Sequence, residues 1–559
     1  RVEKALGLRP PEWDDHASSY CRRLYEEMED LHHRGLDGLW ARLLKNNFAP
    51  LTVGRFDYVV GNPPWVNWES LPDQYRSSMV DIWHAYGLVP PRGLQTILGS
   101  SKMDISALMT YVVADKLLKM EGRLGFVITQ SVFKTSGAGQ SFRRFCIPLS
   151  SLSNNGKEIP LRVLHVDDMV SLNPFEGAAN RTAVMVLEKA RATRYPVPYT
   201  LWQRKRGAKT GFTYGSSLKE VQAATRRLLL SAQPVDEGDE TSPWLTSHPK
   251  SLKAVRKALG KSDYEAHEGV NTGGANAVYW VEIVMERPDG LVVVRNLTKG
   301  AKVKVDEVTV PIERDLLYPL LRGRDVKRWY AEPSAYIIVP RYPGSKEKAI
   351  PPHEFQRSHP CTYGYLKRFE EVLGLRKDAV LRRSMKAGTP FYAIAAVSDY
   401  TFASWKVVWR EVAHTLNAAV ATPQDTKPIV PDHTLVLIDC KEKEEAHYLC
   451  SMLNSAPARL AVQAYIVLHP DPHVLDRIRI PRYDEKDPLH RRLAELSQEA
   501  HEAARAGDEG RLREIEAEID MEAARLWGLN EAELRVIRRS LRELGGMEPE
   551  GVEGMEEEA

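Results

Sequence analysis

The sequence predicts an α/β fold for its first 200 residues, then a mixed α+β region and a helical end. Residues 56–60 form a short β-branched and aromatic run, and residues 123–129 form a second one. Between them, residues 104–120 show the apolar spacing of a helix. Strand, helix and strand in that order indicate a parallel, doubly wound sheet. With 43% hydrophobic and 27% charged residues, the 559-residue chain has the composition of a globular protein of two or three domains.

The predicted elements follow one another along this first part. Residues 1–50 have a helical pattern, clearest at 18–33 and 36–44. Residues 56–60 predict a buried parallel strand. Asp104 is the expected N-cap of a helix that runs to Met120 and ends at Gly122. Further strands are expected at residues 123–129, 161–166 and 183–187.

Charge and cysteine content limit the classes of function. The net charge is +2, so any DNA-binding surface would have to be a local patch of positive charge, since the protein as a whole is nearly neutral. Five scattered cysteines indicate a reducing cytoplasm and no disulfide framework. The sequence shows no signal peptide and no membrane-spanning run, so no membrane partner is expected. Because it begins with Arg1, we interpret the chain as a fragment or a processed product.

The stretch Asn62-Pro63-Pro64-Trp65 follows the first predicted strand directly. Ligands of open α/β sheets bind at the carboxyl ends of strands. The prolines stiffen the loop and carry no N–H, so the Pro63 carbonyl can face a ligand, and the Asn62 oxygen is a second acceptor. Two acceptors can hold both protons of an exocyclic amine while Trp65 stacks on a flat ring. The alternative interpretation is an ordinary surface turn.

Residues 57–65, DYVVGNPPW, resemble the catalytic motif of the N6-adenine-specific DNA methyltransferases of type II and type IIG restriction-modification systems. The resemblance implies a partial Rossmann-like methyltransferase domain over residues 1–200. It implies Asn62, Pro63, Pro64 and Trp65 as catalytic residues and S-adenosylmethionine as methyl donor, with no metal. The flipped adenine N6 would be held by the Asn62 oxygen and the Pro63 carbonyl. Cytosine N4 is the closest chemical alternative, although Ser is commoner as the first residue of that motif.

The resemblance continues through residues 122–142 and 173–188. In the family, a Phe before the last hairpin strand covers the second face of the adenine, which makes Phe175 the candidate for substrate binding. The alternative is that Phe175 is a core residue under a proline turn.

One part of the family pattern is missing from this sequence. The cofactor site needs a strand that ends in a glycine-rich turn, and an acidic residue at the end of the next strand. Neither precedes Asp57. What remains of the cofactor site would be Asp57 and Asn62 on the predicted strand. An upstream segment or a partner subunit is expected to supply the rest.

Residues 201–485 carry basic clusters with aromatic residues between them, which predict binding to double-stranded DNA. Several stretches of this region, such as residues 268–281 and 316–329, resemble the target-recognition domain of the same methyltransferases. A further basic cluster contains Arg376, Lys377, Arg382 and Arg383. The DNA-binding candidates that we single out are Arg204, Lys205, Arg206, Arg322, Arg324, Lys327 and Arg328.

The end of the chain predicts a helical hairpin over residues 486–546, which braces the recognition domain or a partner. Residues 547–559 are an acidic tail expected to be disordered.

Two rival chemistries remain. Pro431-Asp432 with Asp439-Cys440-Lys441 spells a weak nuclease metal site, for which a plain strand is the simpler account. A nuclease upstream of Arg1 would make a combined restriction–modification enzyme. The other rival is a non-catalytic DNA-recognition subunit.

Overall fold

The structure is a computed structural model. It describes residues 15–35, 42, 45–46, 53–88, 104–135, 138–148, 158–170, 172, 174–175, 181–205, 215–411, 413, 415–424, 426–465 and 472–545. The chain forms two compact units. The first unit comprises residues 1–128, 145–164 and 184–194, and the second comprises 129–144, 165–183 and 195–559. One boundary lies close to the predicted one at residue 200, but two earlier segments also join the second unit.

The first unit is built on strands in the order β1, β2, β5 and β4, with β3 paired to β4. Strand β1 runs parallel to β2, as predicted, with Val59 opposite Leu124 and Gly61 opposite Phe126. Strands β4 and β5 are divided between the two units. The elements of this part are α1 (Asp15–His33), β1 (Phe56–Gly61), α2 (Asp73–Ala85), α3 (Ile105–Lys116), β2 (Leu118–Thr129), β3 (Cys146–Ile147), β4 (Ile159–Asp168) and β5 (Thr182–Lys189).

Helix α3 confirms its predicted start and corrects its predicted end. The Asp104 side chain accepts a hydrogen bond from the Ser106 amide at 2.9 Å, as an N-cap does. The helix stops at Lys116 instead of Met120 because Leu118 already pairs with Phe56 of β1. Gly122 therefore lies inside β2 instead of ending a helix. The expected helix at residues 36–44 lies outside the described residues, apart from Arg42.

Strand β1 corrects a second expectation, because it is not buried. It stands at one end of the strand order. Phe56, Tyr58 and Val60, which share one face, are 42%, 72% and 83% exposed. A parallel strand becomes a buried apolar run only when it has neighbours on both sides and cover on both faces. Here the described part of the first unit gives β1 one neighbour.

The second unit contains three further β-sheets beside the β6–β7–β8 meander, and all its long helices lie in the later half. Its strands are β6 (Val197–Arg204), β7 (Thr225–Pro234), β8 (Trp244–Ser247), β9 (His267–Glu268), β10 (Trp280–Glu286), β11 (Leu291–Asn296), β12 (Thr309–Glu313), β13 (Leu317–Leu321), β14 (Val326–Lys327), β15 (Tyr330–Ala331), β16 (Ala335–Ile338), β17 (Trp405–Arg410), β18 (Ala419–Ala421), β19 (Val430–Pro431) and β20 (Leu435–Cys440).

The helices of the second unit include short ones early and long ones late. They are α4 (Ser131–Lys134), α5 (Ala138–Phe142), α6 (Leu218–Ala224), α7 (Pro249–Val255), α8 (Asn276–Tyr279), α9 (Pro352–Ser358), α10 (Pro360–Lys367), α11 (Glu370–Gly374), α12 (Ala379–Lys386), α13 (Lys443–Asn454), α14 (Ala456–Tyr465), α15 (Pro488–Ala506), α16 (Glu509–Leu526) and α17 (Glu531–Leu544). Together with the sheets they confirm the mixed α/β class.

The predicted recognition region is organised around two sheets. The larger has the order β12, β11, β10, β16, β13 and β19, and the smaller has the order β18, β17, β20 and β9. The core of the larger sheet contains Val281, Val294, Ile337 and Leu366, all almost fully buried. Alternating inward side chains of this kind hold antiparallel sheets against helices.

The predicted C-terminal hairpin is present and is followed by a third helix. Helices α15 and α16 pack on each other, and Gly507, with φ of +70°, ends α15 in the left-handed conformation that glycine adopts most easily. Helix α17 packs on α7 and α14, and it also contacts α16, where Arg538 pairs with Asp520 at 2.7 Å. The Trp329 indole donates to Glu516 of α16 at 2.8 Å. Residues 546–559, which include the acidic tail, lie outside the described residues.

Candidate functional site

The Asn62–Trp65 loop lies at the carboxyl end of β1, as expected for a ligand-binding loop. Asn62 and Pro64 are exposed, Pro63 is buried, and Trp65 is half-buried. A buried first proline with an exposed amide beside it gives the loop a fixed base and a free polar end. The role of Asn62 and the Pro63 carbonyl as two acceptors stays a prediction.

The loop is held at its far end by helix α3. The Ile105 amide donates to the Val66 carbonyl at 3.0 Å, and Asn67 forms an isolated bridge with Asp104. Asp104 is also the N-cap of that helix, so one residue both caps α3 and fixes the loop. Because the backbone is pinned on both sides of the prolines, the acceptors need little reorganisation when a ligand arrives.

Trp65 is oriented by a hydrogen bond that the sequence does not reveal. Its indole Nε1–H donates to the Val127 carbonyl near the end of β2, at 3.1 Å. Trp N–H groups usually find such partners when they are partly buried.

Gly61 is required by the close approach of β1 to β2. A Cβ atom at Gly61 would lie 3.1 Å from Cε1 of Phe126, its partner in the strand register. This contact is tighter than ordinary van der Waals packing. The glycine of the Gly-Asn-Pro-Pro-Trp stretch thus allows β1 to end close to β2.

Asp57, the second candidate for the cofactor, points to a local ion pair. Its carboxylate lies 3.0 Å from Nζ of Lys119, and both side chains are largely exposed. An exposed pair of this kind contributes little stability, and water or a ligand can replace it at small cost.

Phe175 is half-buried and belongs to the second unit. The segment that carries it leaves β4 at Asp168. The Asp168 carboxylate accepts from the Val170 amide at 2.9 Å and from Nε2 of Gln130 at 3.0 Å. The Met169 amide donates to the Thr182 carbonyl at 3.0 Å and closes the segment at its base.

Asp168 is a residue that the sequence reasoning missed. It is buried, and the Tyr199 hydroxyl donates to the same carboxylate. Burial raises the pKa of Asp168, and hydrogen bonds from Tyr199, Val170 and Gln130 oppose that rise. The available signal was an Asp-Asp pair at the end of an apolar strand, where acidic residues are otherwise costly.

Lys134 is a second buried polar residue of this part. Its Nζ donates to Thr246 Oγ1 and to the Ala464 carbonyl, both at 2.6 Å, and to the Trp244 carbonyl at 3.1 Å. Burial lowers the pKa of Lys134 to about 7. With three acceptors around it, this side chain anchors α4 within the second unit.

The first group of predicted DNA contacts lies at the end of β6. The Arg204 guanidinium donates to the Leu172 carbonyl at 3.2 Å. Lys205 is exposed and donates to the Ala223 carbonyl at 2.7 Å. Arg206 lies outside the described residues.

The second group divides into residues used by the fold and residues free to meet solvent. Arg322 is buried, lies 3.2 Å from Asp325 and stacks over Trp280. Arg328 pairs with Glu516 at 2.7 Å. Both guanidinium groups are thus engaged within the fold, and their contact with DNA stays a prediction. Arg324 and Lys327 are exposed and stay candidates.

The weak nuclease pattern does not form one site. Asp432 is buried and accepts from the Thr434 amide at 3.0 Å, whereas Asp439 is exposed and lies 3.8 Å from His267. Residues 435–440 form strand β20, as the simpler interpretation predicted. Within the described ranges, no group of three or more metal-ligating side chains converges.

In the part of the chain that the structure describes, no helix has the length and apolarity needed to cross a membrane.

Among solved structures, the chain aligns with restriction-modification enzymes. The alignment with the type IIL restriction-modification enzyme MmeI, solved in complex with DNA, covers 88% of this chain and 57% of that one. The sequence identity is 11% and the TM-score is 0.49. For the type IIG restriction endonuclease BpuSI, the alignment covers 85% of this chain and 55% of that one, with 14% identity and a TM-score of 0.26. For a nuclease-deletion mutant of the type ISP enzyme LlaGI, it covers 83% of this chain and 42% of that one, with 9% identity and a TM-score of 0.37. The chain therefore spans about half the length of these proteins.

No curated protein matches the chain in sequence. A family model does match part of it: residues 18–154 fit the Eco57I restriction-modification methylase. The match includes the whole Asn62–Trp65 loop, strand β1, helix α3 and strand β2. Residues 18–154 are therefore similar to a restriction-modification methylase of the Eco57I kind.

Proposed function

We propose that this protein is a site-specific DNA methyltransferase that transfers the methyl group of S-adenosylmethionine to N6 of a flipped adenine. The observation that carries the proposal is the Asn62–Trp65 loop at the carboxyl end of β1, inside the segment that matches a methylase family. The exposed Asn62 amide, the stiff proline pair and the fixed indole are the groups that such a reaction needs.

In this proposal the residues of the loop divide the work. The Asn62 side-chain oxygen and the Pro63 carbonyl accept hydrogen bonds from the exocyclic amine and raise the electron density on its nitrogen. Trp65 stacks on the base, a contact worth about 1–3 kcal/mol. Phe175 would cover the opposite face. Stacking offsets the few kcal/mol that extrusion of a base from the duplex costs.

The methyl donor brings an activated methyl group, so the chain itself has to supply position and electrostatics instead of a strong base. The described residues fit one side of a donor site, because Asn62 is exposed at the strand end and Asp57 makes only a surface ion pair. Within the described ranges the first unit shows no glycine-rich strand turn before β1.

We propose that an upstream segment or a partner subunit completes the donor site. The exposed edge strand supports this, since Tyr58 and Val60 present apolar surface at the end of the sheet. Unpaired edge strands with apolar side chains are surfaces that further strands or chains cover.

We propose residues 201–485 as the target-recognition domain for double-stranded DNA. Arg324 and Lys327, both exposed, are among the candidates from the sequence for phosphate contacts. The biological setting would be restriction-modification or phage defence, with the protein on the nucleoid in the cytoplasm of a prokaryote.

The test is transfer of labelled methyl from S-adenosylmethionine to mixed-sequence duplex DNA, by this chain and by a form extended upstream. In the active form, Asn62→Ala should reduce transfer by at least about 100-fold, as the loss of one preorganised group does. DNA affinity should stay nearly unchanged. Asn67→Ala is the matched control, because Asn67 is an exposed Asn of the same loop outside the tetrapeptide.

Survival of transfer in Asn62→Ala would overturn the assignment of the loop. No transfer in either form, with DNA binding intact, would favour a non-catalytic DNA-recognition subunit. Methylated cytosine instead of methylated adenine in the digested product would change the target base and leave the role of the loop in place.

A further inference from the structure

Helix α12 (Ala379–Lys386) presents one basic face to solvent. Arg382, Arg383 and Lys386 are exposed, whereas Leu381 and Ser384 are buried on the opposite side. Residues three and four apart lie next to each other on a helix surface, so these three cations form one group. Lys377, just before the helix, is exposed as well.

The charge around the helix is strongly one-sided. Residues 375–388 contain five Lys or Arg residues and one carboxylate, in a chain whose net charge is only +2. The carboxylate belongs to Asp378, which caps the helix by accepting from the Leu381 amide at 2.8 Å. One of the cations, Arg376, is buried and donates to the Thr272 carbonyl at 3.1 Å, so four cations face outward.

The cations of α12 also differ from several arginines of the C-terminal helices, which form ion pairs. On the C-terminal helices Arg511 pairs with Glu499 at 2.7 Å, Arg525 with Glu522 at 2.7 Å, and Arg539 with Glu543 at 2.8 Å. Across the described ranges, no carboxylate forms an ion pair with Lys377, Arg382, Arg383 or Lys386. Positive charge that the protein does not neutralise itself is available to an outside anion.

A rigid base holds this face in place. Gly273 has a φ of +70°, and a Cβ atom there would lie 2.7 Å from Cδ1 of Leu381, so the helix sits directly on the glycine turn. The Gly273 amide donates to Asn271 Oδ1 at 2.8 Å, and Asn271 bridges to Ala395. The helix therefore presents its cations from a fixed support instead of a loose loop.

We propose that the α12 basic face (Lys377, Arg382, Arg383 and Lys386) binds the backbone phosphates of duplex DNA and positions the duplex on the recognition region. The identity of the ligand rests on the proposed function. Lys and Arg contacts to phosphates fix register and orientation without reading sequence. In this proposal the main phosphate contacts are made by the α12 basic face and not by Arg322 and Arg328, which form ion pairs within the fold.

The experiment is the salt dependence of binding to a short, fluorescently labelled duplex of mixed sequence. The triple variant Arg382→Gln, Arg383→Gln and Lys386→Gln should lower the slope of log affinity against log salt by about 2.7, from three lost phosphate contacts. Its affinity should fall at least about tenfold at low salt, equally for unrelated sequences.

The matched control carries Arg511→Gln, Arg525→Gln and Arg539→Gln, with the same change in net charge at ion-paired positions. Its slope should equal that of the wild type. Thermal unfolding checks that the triple variant folds. If the triple variant does not fold, the double variant Lys377→Gln with Arg383→Gln replaces it, and its slope should change by about 1.8.

Equal slopes for the α12 variant and the wild type would overturn the inference and leave the proposed function standing. Equal loss in the α12 variant and the control would also overturn it, because only net charge would then matter. A wild-type chain that does not bind duplex DNA at all would contradict the proposed function itself.

Discussion

In the proposed function Trp65 would act through two separable features, its ring face and its N–H group. The ring would stack on the base, while the N–H donates to the Val127 carbonyl and orients the ring. Trp65→Phe keeps a face and removes the donor. We expect methyl transfer by the active form to fall roughly fivefold, because a typical hydrogen bond contributes about 1 kcal/mol. Single-turnover rates of labelled methyl transfer measure this.

Trp65→Ala removes both features and should reduce transfer further than Trp65→Phe does. If the two variants had the same rate, the ring face would contribute nothing and stacking by Trp65 would be excluded. If Trp65→Phe were as fast as the wild type, the Val127 contact would have no role in orienting the ring.

The basic residues show why single positions are hard to judge from sequence. Arg322, Arg324 and Arg328 lie within seven residues of each other and have the same chemistry. In the structure the first stacks over Trp280, the second is exposed, and the third pairs with Glu516. What separates them is the set of neighbours brought by distant strands and helices.

At the scale of elements, Gly269 determines how β9 meets β20. Its amide donates to the Leu435 carbonyl at 2.9 Å, and a Cβ atom there would overlap the backbone carbonyl of Asp432. Backbone cannot move away as a flexible side chain can. Gly269→Ala should therefore lower the free energy of unfolding by more than about 3 kcal/mol, beyond ordinary overpacking.

Urea unfolding measures this effect, and Gly274→Ala is its control. Gly274 has a φ of +86° and no neighbour within 4 Å of an added Cβ, so only backbone strain, about 1–2 kcal/mol, should appear. Equal losses in the two variants would show that the approach of Gly269 to Asp432 is not as tight as the structure has it.

Strand β1 shows that a local sequence pattern can predict a strand without predicting whether that strand is buried. Its residues have the propensity of a strand, and it forms one, parallel to β2. Yet its apolar face is exposed. Propensity determines the backbone conformation, whereas burial depends on what stands beside the strand.

For the whole molecule, two buried histidines couple stability to pH. His501 accepts from the Val420 amide at 3.0 Å through Nε2, and its ring stands edge-on to His447 at 5.1 Å. Burial, with a smaller contribution from Arg505, lowers the pKa of His501 to about 4. Burial also lowers the pKa of His447 far below its ordinary value, with His501 adding to the effect.

Because the folded pKa of His501 lies below the unfolded one, the unfolded state binds its proton first as the pH falls. Stability should be full above about pH 6.5 and should be lost on going down to about pH 4, by up to about 1.4 kcal/mol per pH unit for this group. Urea unfolding midpoints of the wild type and His501→Gln across this range provide the measurement. The variant should show the shallower decline, and parallel curves would contradict the assignment.

The sequence by itself determined the α/β class, the strand–loop–helix order around Asn62–Trp65, the Asp104 cap and the helical end of the chain. These follow from local patterns: β-branched runs, helical spacing, capping residues and prolines that restrict their neighbours. It also predicted a helical end over residues 486–546 with a break at Gly528, and α17 begins just after that break.

Only the tertiary structure decided which residues near these elements are free. It placed the Trp65 N–H against Val127, assigned Asp168 to the base of the segment carrying Phe175, and left β1 exposed. It showed Arg322 and Arg328 in ion pairs with Asp325 and Glu516, whereas the α12 basic face forms no ion pair with any described carboxylate. The physical reason is that burial and pairing depend on residues far apart in the chain, and local pattern carries no information about them.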